Sequence, residues 1–289
     1  MKSLFPPTTV HFALRRCKVL TVRQGTLLVL LSLIASLYAL GQTNASHVKA
    51  IEYPTATIRE EQTMTIGGVS ETWRLEWQAL PKPYCEPNEE SLTCPCEGFA
   101  FGEIGDLFLV RLRNGTVIDR VHLTPLFGET KGAVLQRWPV DDDYDSPNFE
   151  REDFADAVRK RPLVQVMQFD DYDHDGEKTE FYLQTEAICC GHRDGVVIGV
   201  SKSDPRLHVF GTVSNPGKPL YLAKHEWDAL RNSKSHKLEI VDWACGDHAA
   251  DTQTEFTLEW SVDGVSGVRR EYTCPAEGQS RNLVSQQPL

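Results

Sequence analysis

Residues 107–121 read Leu-Phe-Leu-Val-Arg-Leu-Arg-Asn-Gly-Thr-Val-Ile-Asp-Arg-Val. Two β-rich runs here are joined by Asn114-Gly115. A two-residue type I′ turn needs positive φ at both central positions, and Asn followed by Gly supplies that at the least steric cost. The stretch therefore predicts an antiparallel hairpin. Upstream, residues 63–66 and 72–77 alternate apolar and polar around Gly67-Gly68, which predicts a second hairpin. Near the other end, residues 255–261 and 268–272 flank a Val262-Asp263-Gly264 turn. Between them, strand-like runs recur at 163–169, 179–185, 195–200, 207–213 and 238–243, with a short apolar segment at 135–140. Two short helices interrupt the pattern. One starts at Ser146-Pro147, passes through Phe149, Phe154, Ala157 and Val158 to about Lys160, carries acids early and bases late, and stops at Pro162. The other covers about 223–231. Roughly ten strands and two helices predict a mainly β protein, built as an antiparallel sandwich, an irregular barrel or propeller-like sheets.

Composition agrees with a folded chain. Of 289 residues, 40% are apolar and 25% charged, with 20 Gly and 16 Pro, which excludes collagen-like, low-complexity and multi-span membrane classes. Residues 1–41 stand apart. They contain Lys2, Arg15, Arg16, Lys18 and Arg23 but no acid, followed by an uncharged apolar run at 27–40 and a small-x-small exit at Ala39-Leu40-Gly41. A basic start, an apolar run too short to span a bilayer and a small-residue exit describe a secretory signal peptide, with an N-terminal anchor as the competing reading. Residues 42–57 read as a polar linker, and 58–289 as a single β-rich domain. The protein is then secreted or periplasmic. Without the five basic residues of the leader, the net charge moves from −11 to −16. That balance disfavours phosphate backbones and anionic membrane surfaces, so no nucleic-acid partner and no membrane insertion beyond the possible anchor are expected; cations are favoured.

Export also sets the reading of Cys85, Cys94, Cys96, Cys189, Cys190, Cys245 and Cys274 as disulfide candidates, with an odd one left over. Cys245 and Cys274 flank the last hairpin and would staple its ends. A competing use is zinc, held by Cys189 with His192 and by Cys245 with His248, which requires reduced thiols.

One segment carries its own chemistry: Asp171-Tyr-Asp173-His-Asp175-Gly176-Glu177-Lys-Thr179-Glu180. Carboxylates at alternate positions converge when the chain curls, Gly176 permits the sharp turn, and Glu177 offers its backbone carbonyl. Hard oxygen ligands at this spacing suit Ca²⁺. The segment resembles EF-hand-type calcium loops through Asp171, Asp173, Asp175 and Gly176, over about a dozen residues. Their twelfth position is a bidentate Glu, whereas Tyr182 stands here, and β-like runs flank the loop at 171–182. It is closer to the shortened Asp-x-Asp-x-Asp-Gly loops of FG-GAP-type repeats, which join strands. Those place an acid at the ninth position; Thr179 occupies it, so Glu180 is the expected closing ligand. The wider stretch through Val213 resembles secreted bacterial proteins of unassigned function, which implies no activity. The run at 141–145 offers a second acidic cluster, although such runs are usually just solvated. No Gly-x-Ser-x-Gly elbow, His-Glu-x-x-His helix or phosphate loop occurs. The sequence therefore points to a calcium-binding binding or structural module, with a secreted hydrolase carrying a structural calcium site as the alternative.

Overall fold

The computed structural model describes residues 56–85, 97–128, 131–140, 151–187, 193–233, 237–246, 249–261, 264–276 and 279–289. The leader at 1–41 and the helix start at 146–150 lie outside them. So do all but the last two residues of the expected linker, and the second of those, Thr57, already opens the first strand.

Strands β1 (Thr57–Ile66) and β2 (Val69–Trp77) form the hairpin expected around Gly67 and Gly68, both at positive φ. β3 (Lys82–Tyr84) and β4 (Gly102–Gly105) follow, then β5 (Leu107–Arg113) and β6 (Thr116–His122). Asn114 and Gly115 sit at φ 52° and 76°, the type I′ turn that their identities require. β7 (Ala133–Gln136) pairs with β4, so one sheet runs β1-β2-β5-β6 and a smaller one β3-β4-β7. On the inner face of the larger sheet, Leu75 opposes Leu109 and Trp77 opposes Leu107, all fully buried. Between its two central strands Arg111 donates to Glu71 at 2.7 and 3.0 Å, and the pair is buried. Burial alone would lift the Glu71 carboxyl. The bonds and charges of Arg113 and Arg111 outweigh it and hold the group below the ordinary range.

The first helix is described as α1 (Phe154–Val158), with Phe154 and Val158 inward. The next segment departs from expectation. Residues 163–169, read as a strand, form no ladder because β1 side chains take their backbone groups. Glu60 accepts the N–H groups of Val166 and Met167 at 2.7 and 3.1 Å, Gln62 donates to the Met167 carbonyl, and Arg59 donates to the Val164 carbonyl.

β8 (Glu180–Gln184) and β9 (Asp194–Gly199) form the central layer. Phe181, Leu183, Val196 and Ile198 face the first sheet, whereas Tyr182 and Val197 face a second core with Trp227, Leu258 and Trp260. A strand buried on both faces reads as an unbroken apolar run, as Val196-Val197-Ile198 does. The expected strand at 207–213 is split into β10 (His208–Val209) and β11 (Gly211–Thr212), which join different sheets. β12 (Asn215–Pro219) and β13 (Leu222–Ala223) lead into α2 (Lys224–Asn232), which buries Trp227 and Leu230. β14 (Lys237–Trp243), β15 (Thr252–Ser261), β16 (Gly264–Thr273) and β17 (Leu283–Pro288) complete a six-stranded sheet with β11 and β12. Every pairing is antiparallel except β11 with β16. The protein is mainly β, with two α-helices among the described residues, and its sheets are open layers, so the barrel alternative is not realised. No helix among the described residues is long and apolar enough to cross a membrane.

Candidate metal centre

Asp170 and Glu180 form an antiparallel bridge, with Asp170 N–H donating to the Glu180 carbonyl at 2.8 Å and Glu180 N–H returning the bond at 3.2 Å. Residues 171–179 are thus a short excursion pinched at its neck, just before β8. Inside it, the side chains of Asp171, Asp173 and Asp175 accept the backbone N–H groups of Gly176, Asp175 and Glu177 at 3.1, 3.0 and 2.8 Å. Gly176 turns the chain at φ 87° and His174 at φ 58°. Neighbours fix the loop from outside. The Trp260 indole N–H donates to the Asp173 carbonyl at 2.8 Å, and Arg231 of α2 pairs with Asp170.

The curl brings carboxylate oxygens of Asp171, Asp173 and Glu180 within 4.8 Å of one another. Glu180 has no exposed surface. Burial, reinforced by the charges of Asp173 and Asp175, pushes its carboxyl up to about 9. Burial together with Asp175 and Asp171 lifts Asp173 to about 6. Asp171 Oδ1 is buried and has no hydrogen-bond partner among the described residues. The acids alongside are neutralised differently: Asp170 pairs with Lys178 and Arg231, and Asp175 accepts Lys202 N–H at 2.8 Å while its carbonyl takes the Lys202 ammonium. None of the three converging carboxylates has a salt bridge among the described residues. The cluster therefore needs a proton or a cation.

Thr179 supplies the proton count. Its Oγ lies in hydrogen-bond contact with both Glu180 Oε1 and the Val200 carbonyl, the latter at 3.0 Å. A hydroxyl has one proton to donate. A proton on the Glu180 carboxyl completes the chain from Glu180 to Thr179 to Val200; an ionised Glu180 would take the Thr179 proton and leave the Val200 carbonyl without it. The raised position of Glu180 and the hydroxyl geometry agree.

Of the residues expected from spacing, Asp171, Asp173 and Glu180 converge. Asp175 contributes no carboxylate to the group; both its oxygens accept backbone N–H groups, one of them from Glu177, whose expected contribution is a backbone carbonyl. Spacing gave no hint of Thr179 as orienting hydroxyl, of Lys202, of Trp260 or of Gly199. At Gly199 a Cβ would lie 2.4 Å from the Thr179 carbonyl, so only glycine lets β9 close over the neck. Cys245 and Cys274 form the expected staple, with Cα atoms 5.4 Å apart, and a disulfide-bonded Cys245 has no thiolate to offer zinc. Cys85 is disulfide-bonded as well. Cys94, Cys96, Cys189, Cys190, His192 and His248, and the acidic run at 141–145, lie outside the described residues.

Beside the loop opens a cleft of about 800 Å³, which Asp173 lines but Asp171 and Glu180 do not. No family model, no curated protein and no solved structure matches this chain.

Proposed function

We propose that the loop at 171–180 is a structural Ca²⁺ site in an exported β-domain that serves as a binding or structural module. The observation that carries this reading is the approach of Asp171, Asp173 and Glu180 within 4.8 Å, with Glu180 buried and no basic side chain among the described residues paired to any of them. Three carboxylates with nearby backbone oxygens are a hard donor set. Ca²⁺ accepts 6–8 oxygens in irregular geometry, whereas Mg²⁺ demands a near-ideal octahedron and keeps its waters. The ion would tie the neck of β8 to Tyr172 and Trp260 in the second core. The Cys245–Cys274 bond supports the oxidising compartment that the leader implies.

Calorimetric titration of the full chain tests the reading. Wild type binds Ca²⁺ with a Kd of ~10⁻⁴–10⁻³ M or tighter, the range of extracellular modules; Asp173→Ala gives no heat. Flat titrations for both proteins would sink the proposal, and so would a preference for Mg²⁺. The export component predicts that the secreted or periplasmic fraction holds a species whose intact mass, under non-reducing conditions, begins at Gln42.

A further inference from the structure

The lining of the cleft beside the loop is of two kinds. One is aromatic: the rings of Phe210 and Trp260 lie 6.1 Å apart, His208 extends the wall at 4.5 Å from Phe210, and His174 extends it at 6.0 Å from Trp260. Val213, 45% exposed, and the exposed Pro216 continue the apolar surface to the cleft mouth. The lining also includes the polar residues Asp175, Lys202, Ser203 and Asp204. Their charges are matched locally, since Lys202 is bonded to Asp175 and Asp204 pairs with Arg206. With Asp173 committed to the ion, these charges offer no uncompensated partner to a strongly charged ligand. The volume of about 800 Å³ lies within the range of small-molecule sites. The same geometry would orient a bound ion. Glu180 is sealed and Asp171 Oδ1 is buried, so Asp173 is the ligand that faces the cleft. Three carboxylates would leave several positions of a Ca²⁺ shell to be filled, and Asp173 is the one member of the cluster that lines the cleft.

We propose that this cleft binds a neutral carbohydrate, an inference that rests on the calcium reading above. Adjacent hydroxyls of the sugar take the open positions of the ion and bond to Asp175 and Ser203. The C–H face of the ring lies against the apolar wall toward Val213. A neutral polyol is the ligand class that meets all three features at once: oxygen donors without charge, hydrogen-bonding groups along one edge and an apolar face on the other side.

The test uses the full chain on an array of immobilised neutral mannose-, glucose- and galactose-type oligosaccharides, in Ca²⁺ and in EGTA. Calorimetric Ca²⁺ titration is run on the same samples. Val213→Arg and Ser203→Trp obstruct the cleft from exposed positions outside the ion's ligand set. Support consists of glycan retention by wild type in Ca²⁺, lost in EGTA and reduced about tenfold or more in both variants, while their Ca²⁺ heats match wild type. Normal Ca²⁺ heat with no retention on the array would overturn the carbohydrate inference alone. Retention that ignores EGTA or both variants would overturn it too. Absence of Ca²⁺ heat in wild type is the separate result that removes the calcium reading beneath it.

Discussion

Glu180 concentrates the chemistry of the site in one carboxyl. Without a cation it holds its proton up to about 9, because burial and the neighbouring Asp173 and Asp175 charges disfavour ionisation. A Ca²⁺ ion requires the ionised form, so binding near neutral pH must release that proton. Titrations at pH 7 in buffers of different ionisation enthalpy should report roughly one proton released per Ca²⁺ bound. Heats independent of the buffer would mean that Glu180 is not a ligand. Asp173, lifted only to about 6, is mostly ionised at that pH and adds a fraction of a proton. Glu180→Gln separates the two roles of the side chain. The amide keeps a donor for Thr179 Oγ and an acceptor for Tyr172 N–H, which Glu180 accepts at 3.0 Å. The cation-free variant should therefore melt at or above wild type, while Ca²⁺ affinity falls about tenfold or more, the cost of losing one charged ligand.

Among the elements, β9 decides whether the loop can close. Gly199 opposes Glu180 across the ladder, and a Cβ there would meet the Thr179 carbonyl at 2.4 Å and Glu180 Cα at 2.8 Å. These are backbone and near-backbone atoms, so the strand itself must shift. Gly199→Ala is expected to lower stability by about 1–3 kcal/mol in denaturant titrations, as overpacking does. It should also weaken Ca²⁺ binding by spreading the neck between Asp170 and Glu180; unchanged affinity would detach β9 from the site. The same register shows why some of this was legible and some not. The hairpins at 63–77, 107–121 and 255–272 follow from turn chemistry and alternation within a few residues, and all three form. Asp171 and Asp173 were legible for the same reason, since their spacing acts within one curl of chain. The stretch 163–169 carries the alternation of a strand, but Arg59, Glu60 and Gln62 arrive from about a hundred positions earlier and replace its ladder. Lys202, Gly199 and Trp260 reach the loop through the same kind of distant placement. Local patterning holds no record of it.

At the scale of the whole molecule, two groups of acids pull stability in opposite directions with pH. Glu71 and Asp170 are desolvated, yet their basic partners hold them below the ordinary carboxylate range; Thr124 and His122 do the same for Asp106. A lowered carboxyl contributes stability that is present above the ordinary range and is lost as pH falls through its folded value. Glu180 and Asp173 are raised, to about 9 and about 6. For them the folded chain binds more protons than the unfolded one between the ordinary value and the raised one. Their contribution is full below the ordinary range and disappears as pH climbs toward about 6 for Asp173 and about 9 for Glu180. In EGTA the thermal midpoint should therefore peak at weakly acidic pH, where the paired acids are still ionised and the cluster is still protonated, and decline toward pH 8. On the calcium reading, saturating Ca²⁺ would replace the proton as the neutralising charge. The decline should flatten or reverse, because a ligand that binds only the folded state adds RT ln(1 + [L]/Kd), and Kd tightens as the competing proton leaves. Midpoints measured by calorimetry from pH 4 to 9 in both conditions check this directly. Parallel curves with and without Ca²⁺ would show that the raised acids and the cation do not share a site.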